Sequence, residues 1–188
     1  MAMSSVAHFT LAQYELMTRA GAFDGKHHQR VELIRGEIRQ MTPIGFGHAT
    51  VVDRLSRWSF ESLPAQRAWV RIQGTLTIPA LESAPEPDVL WLVPKDYSQG
   101  HPQPEDVLLL IEVAESSLGE DTGEKAQLYT EAGITDYWVV NLVDRCVEVF
   151  REPQPTGYQS RQTRRGDDPI HPLAFPDVVF RPAALYQV

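Results

Sequence analysis

An apolar run that ends in a carboxylate constrains this chain more than any other stretch. Val107-Leu108-Leu109-Leu110-Ile111 shows no polar alternation, the pattern of a strand covered on both faces, and Glu112 continues it. Burying an ionised carboxylate costs several kcal/mol unless a cation, a metal or several donors compensate it. Glu112 therefore needs a partner, and the rest of the chain can be searched for one.

The residues after Glu112 predict a loop over 115–119, a helix over 120–132 with Gly133 at its C-cap, and an apolar strand over 136–142. Strand, helix, strand is a βαβ-like passage, which places both strands in one sheet with the helix packed on a face. That helix carries Asp121, Glu124 and Lys125 in its first turns, on the side where Glu112 ends its strand, so Lys125 can reach Glu112. Asp88, preceded by Pro87, heads another strand over 88–93. If that strand neighbours the buried one, two carboxylates and one ammonium converge. Paired carboxylates raise each other's pKa unless a divalent cation joins them, and hard oxygen ligands suit Mg²⁺ or Mn²⁺.

Around this unit, Thr10 and Gln13 fit a capping box opening a short helix that ends near Gly21. Residues 30–41 read as a hairpin turning at Arg35-Gly36, with Glu32 between apolar neighbours. A helix over 48–63 puts Val51, Val52, Leu55, Trp58 and Ser59 on one stripe, and His48 falls in its first turn, where a backbone partner is the ordinary expectation. Trp69 to Ile78 reads as two extended pieces separated at Gly74. Beyond a second hairpin through Val143-Asp144-Arg145, a weak strand near 158–163 and a last one near 178–180 are expected as edge pieces. Trp91, Trp138, Tyr129 and Tyr137 read most simply as core, and Lys125 with Asp121, taken alone, as a solvated helix pair.

At 188 residues the expectation is one domain over 1–188, and no window approaches the apolar length of a membrane span. Cys146 is the single cysteine, which excludes an intrachain disulfide and a cysteine-rich zinc site. With no export signal visible at the N-terminus, a cytoplasmic location is expected. The formal net charge of −8 counts against binding nucleic acid through bulk electrostatics, although local basic pairs such as Arg164-Arg165 remain. No G-x-S-x-G, Walker A loop or dinucleotide fingerprint is present.

The ordered segments VELIRGEI, the His48-led helix, IQGTLTIP, PEPDVLWLV, LLLIEVAESS and D-T-G-E-K-x-x-L-Y-x-x-A-G-I-x-x-Y-W-V-V resemble the Uma-two family of restriction endonuclease-like proteins, over about residues 9–158. The resemblance implies a mixed α/β (α+β) restriction endonuclease-like fold, a central mixed sheet flanked by helices with added hairpins. It also implies the PD-(D/E)XK arrangement, in which a strand Asp and a strand Glu hold metal and a Lys assists the attacking water. Pro87-Asp88 matches the PD element and Glu112-Val113-Ala114 the (D/E)XK element, but Ala114 stands where the lysine belongs, so the resemblance implies that Lys125 supplies the ammonium. Asp88, Glu112 and the Val113 carbonyl are then the expected ligands of Mg²⁺ or Mn²⁺, Glu32 the early acidic residue, Gln73 the strand glutamine, and Asp121 a residue that caps or orients Lys125. The expected activity is endonucleolytic hydrolysis of DNA, with a homodimer able to cut both strands. The rival reading is a non-catalytic nucleic-acid-binding or assembly module that retains the fold, favoured by Ala114 and the acidic charge.

Overall fold

Residue parity along the central strands decides which layer each side chain joins. The computed structural model describes residues 6–24, 30–64 and 66–186. Six strands form one mixed sheet in the order β3 (Trp69–Ile72), β4 (Val89–Leu92), β5 (Val107–Ala114), β6 (Asp136–Asn141), β7 (Cys146–Gln154) and β8 (Gly157–Arg165). Only β5 and β6 run parallel; every other neighbouring pair is antiparallel. Along β5, Leu109, Ile111 and Val113 join one core, while Leu110 and Ala114 join the other. Glu112 shares the parity of the second set, which is why it meets the helical layer on that side.

The first core lies under the long helix α2 (Phe46–Ser62), whose Val51, Val52 and Leu55 pack against Trp91, Ile111 and Trp138. Chain from the C-terminal part closes that layer through Ile170, Phe175, Phe180 and Leu185. The second core lies under α4 (Glu124–Glu131), where Ala126, Leu128 and Tyr129 cover Leu110, Tyr137, Val139 and Phe150. A separate hairpin, β1 (Val31–Ile34) with β2 (Glu37–Gln40), feeds Ile34 into this second core. Its Leu33 packs with Tyr14 of α1 (Leu11–Arg19), the helix opened by the Thr10–Gln13 capping box. No helix among the described residues is long and apolar enough to cross a membrane.

The helix expected as one piece over 120–132 is two: α3 (Leu118–Asp121) and α4, broken at Gly123. A Cβ at Gly123 would lie 2.6 Å from the Gly119 carbonyl oxygen, so the close approach that makes the break admits only glycine. Helix α2 starts at Phe46, two residues before His48. Gln73 leaves β3 with φ +47, and beyond it only the bridge Ile78↔Ser83 remains of the second extended piece. The weak strand near 158–163 is instead a nine-residue partner of β7, because its register with β7 runs from Gly157 to Arg165. The final strand reduces to the bridge Ile170↔Phe180.

Candidate active site

The antiparallel register Val89↔Ile111 brings the residue before β4 beside the residue after Ile111, so Asp88 meets Glu112 and Val113. The Val113 amide donates to Asp88 Oδ2 at 2.8 Å, and the Asp88 amide approaches Glu112 Oε2 at 3.4 Å. Gln73, turned inward by its positive φ, donates from Nε2 to Asp88 Oδ1 at 3.2 Å. His48 Nε2 lies 3.2 Å from Asp88 Oδ2. Both carboxylate oxygens of Asp88 are thus held from three elements.

Lys125 closes the other half of the cluster. Its Nζ lies 3.3 Å from Glu112 Oε1, 3.3 Å from Glu32 Oε2 and 3.9 Å from Asp121 Oδ1. It is only 6% exposed, so the pair with Asp121 is buried rather than the solvated helix pair that spacing alone predicts. Tyr129, one turn on, donates its hydroxyl to Glu112 Oε1 at 2.8 Å, and Ser117 donates to Asp121 Oδ2 at 2.6 Å. The hairpin that delivers Glu32 is tied to the helices through Arg39, whose guanidinium reaches Glu124 at 2.9 Å, and through Arg35 with Glu131 at 2.9 Å.

Four buried carboxylates (Glu32, Asp88, Glu112 and Asp121) thus surround one ammonium and one imidazole. The imbalance appears in the proton affinities. Burial pushes the Glu112 carboxyl well above the usual range; Lys125 opposes this, and the charges of Asp121, Asp88 and Glu32 add to it. Burial likewise lifts Asp121 to about 6, against the pull of Lys125 and the Ser117 hydroxyl. For Lys125, burial alone would lower the pKa, but Glu112, Glu32 and Asp121 outweigh it and the net direction is up, so the ammonium is retained. His48 is raised chiefly by its hydrogen bond to Asp88.

The cluster lines a cleft of about 200 Å³ between the hairpin, the start of α2 and the β5–α3 loop. All seven residues singled out by sequence, Glu32, Gln73, Asp88, Glu112, Val113, Asp121 and Lys125, border it. As the side chains stand, no three His, Cys, Asp or Glu among the described residues are arranged around one ion. The donor set is nonetheless chemically suited to a small hard cation. Mg²⁺ is commonly held by one or two carboxylates with water completing its shell, and the surplus of buried negative charge here is what such an ion would offset. His48 and Tyr129 were not expected in the site. Tyr129 stands four residues after Lys125, a helical spacing that puts both on one face and carries the signal; the His48–Asp88 contact spans forty residues and has no local signature.

Fold and cleft together define a restriction endonuclease-like protein. The family model described as "Putative restriction endonuclease" (Uma2) matches residues 11–184, and the chain belongs to that family. Its fold is similar to that of a crystal structure described as a putative nuclease belonging to DUF820 from Anabaena variabilis, with a TM-score of 0.71 and 15% sequence identity, covering 95% of this chain and 97% of that one. No curated protein matches the sequence.

Proposed function

We propose that the chain is a metal-dependent endonuclease hydrolysing DNA phosphodiester bonds, with Asp88, Glu112 and Lys125 as its catalytic residues. The observation that carries this reading is the Lys125 ammonium at 3.3 Å from Glu112, while Ala114, at the sequence position of the family's lysine, is buried in the core under α4. Catalysis requires the ammonium at a point in space rather than at a position in the chain, and α4 supplies it from the facing layer.

Asp88, Glu112 and the Val113 carbonyl would hold Mg²⁺ or Mn²⁺. When bound, the ion supplies Lewis-acid stabilisation of phosphoryl charge and lowers the pKa of water. Lys125, fixed between Glu32 and Glu112, orients the attacking water and stabilises negative charge developing on the phosphoryl oxygens. Glu32 completes the acidic cluster and, with Asp121, holds the Lys125 chain in place. Gln73 and His48 keep the Asp88 carboxylate turned into the cleft.

Supercoiled plasmid incubated with purified protein and Mg²⁺ or Mn²⁺ tests the reading. Nicking or linearisation that disappears in Asp88→Ala and Glu112→Gln is expected; no cleavage with either metal, or cleavage unaffected by both variants, would sink it. A non-catalytic module is the second reading, favoured by a net charge of −8 and by cleft cations already engaged with carboxylates. Calorimetric titration with Mn²⁺ separates the two, because a scaffold without a metal site gives no heat dependent on Asp88 and Glu112.

A further inference from the structure

The loop joining β2 to α2 carries two exposed apolar side chains at the edge of the cleft. Phe46, the first residue of α2, is 97% exposed, and Ile44 is 42% exposed. Phe46 lies between Ile44 and His48 in sequence, and both of those line the cleft. A Cβ on the intervening Gly45 would lie 3.5 Å from Glu115 Oε2, so the loop runs directly along the β5–α3 side of the site. A Phe ring fully in water contributes nothing to the fold and suits contact with an apolar face on a bound molecule.

Charge narrows what that molecule is. Seven Asp and Glu residues line the cleft against three Lys and Arg. Each of the three is engaged, Arg30 with Glu86 at 3.1 Å, Arg39 with Glu124 at 2.9 Å and Lys125 with Glu112 at 3.3 Å. Duplex DNA brings one phosphate per about 1.7 Å of axis and is held largely by cations that neutralise phosphates. This cleft offers few. A single strand brings a lower charge density and exposes the π-face of every base, and base–aromatic stacking on one ring changes affinity by about 5- to 150-fold.

We infer that the cleft takes an unpaired nucleic-acid strand, with Phe46 as the platform on which a base next to the reacting phosphodiester stacks. This rests on the reading of the cleft as a phosphodiesterase site and specifies its substrate class. A duplex is then a substrate only where it is frayed, gapped or flapped.

Fluorescence anisotropy with labelled dT15, rU15 and a 15-base-pair duplex, in Ca²⁺ and with intact oligonucleotide recovered afterwards, tests it. At least one single strand is expected to bind about tenfold or more tighter than the duplex, the stronger of the two telling DNA from RNA. Its salt slope should be no steeper than about −2, corresponding to two or three neutralised phosphates. Phe46→Ala is expected to weaken single-strand binding by about 5- to 150-fold and Phe46→Trp to retain it. Duplex bound as tightly as single strands, binding of neither, or Phe46→Ala indistinguishable from wild type overturns the inference. So does a Phe46→Ala change in oligomeric state by sedimentation equilibrium without loss of oligonucleotide binding, which would make the ring a contact between copies. Cleavage with Mg²⁺ or Mn²⁺ keeps the two readings apart: Phe46-dependent binding without cleavage removes the nuclease reading alone, and duplex cleavage indifferent to Phe46 removes the stacking inference alone.

Discussion

The Lys125 ammonium stands 3.3 Å from Glu32 on β1 and 3.3 Å from Glu112 on β5, so one buried cation joins the hairpin, the central sheet and α4. Removing it leaves uncompensated buried carboxylates, which typically costs about 3–5 kcal/mol. Lys125→Ala is expected to lower stability by about that amount in urea titration and to reduce plasmid cleavage about 100-fold or more. Mn²⁺ affinity should be unchanged or higher, because a cation competing for the same carboxylates has gone. Weaker Mn²⁺ binding in a folded Lys125→Ala protein would assign the lysine a different part.

Asp121 makes stability depend on pH in an unusual sense. Its folded pKa is about 6 and its ordinary value 3.8, so between those limits the folded state binds a proton that the unfolded chain does not. Stability from this group is present below about pH 4 and is lost as pH rises through about 6; Glu112, also raised by burial, acts in the same direction from 4.5 upward. Asp121→Asn is therefore expected to raise the Tm at pH 7.5, by the equivalent of on the order of 2–3 kcal/mol, and to leave it unchanged near pH 4. Thermal melts at the two pH values decide it, and an equal change at both would falsify the assignment.

Much of this arrangement is legible from local pattern. The unalternating run before Glu112 announces a covered strand, Pro87-Asp88 announces the head of its neighbour, and both carry their carboxylates to the cleft. The break at Gly123 was not legible, because helical propensity over 120–132 is continuous and only the approach to the Gly119 carbonyl shows why glycine stands there. His48 was expected to satisfy itself on backbone; its ring instead faces Asp88, a pairing set by how α2 crosses the sheet. Tyr129 was assigned to the core and is fully buried there, yet its hydroxyl end belongs to the site, since an aromatic body can pack while its polar tip bonds Glu112.

His48 holds Asp88 from α2, and its Nδ1 is buried without a hydrogen-bond partner. A ring fixed at one nitrogen and unsatisfied at the other contributes little to folding but fixes the carboxylate it touches. His48→Ala is expected to shift the Tm by no more than a few degrees while lowering Mn²⁺ affinity or cleavage by about 10- to 100-fold, the range for groups that orient metal-binding side chains. His48→Gln, which restores a donor, should recover part of the loss. A large fall in Tm with unaltered Mn²⁺ affinity would make the residue structural.

Divalent cation should stabilise the folded chain through the same carboxylates. A ligand that binds only the folded state at 100 times its Kd adds about 2.7 kcal/mol. Mn²⁺ at such a concentration is expected to raise the wild-type Tm by several degrees and to leave Asp88→Ala and Glu112→Gln unmoved. The rise should shrink below about pH 6, where Asp121 and Glu112 take up protons that oppose the cation. A Tm response identical in the variants would place the ion elsewhere.

Tyr129 supplies a neutral donor to Glu112 at 2.8 Å inside the core. A hydrogen bond to a charged group contributes about 1.5–3 kcal/mol and one to a neutral group about 0.5–1.5. Burial keeps Glu112 protonated to an unusually high pH, so the bond strengthens as pH rises and the carboxyl ionises. Tyr129→Phe, which keeps the ring and removes the donor, is accordingly expected to cost about 1 kcal/mol near pH 6 and about 2–3 near pH 9, measured by urea titration at both. The Phe variant should also titrate Glu112 still higher, visible as a carboxyl carbon shift in NMR. An equal cost at both pH values would mean that Glu112 does not change charge over that range.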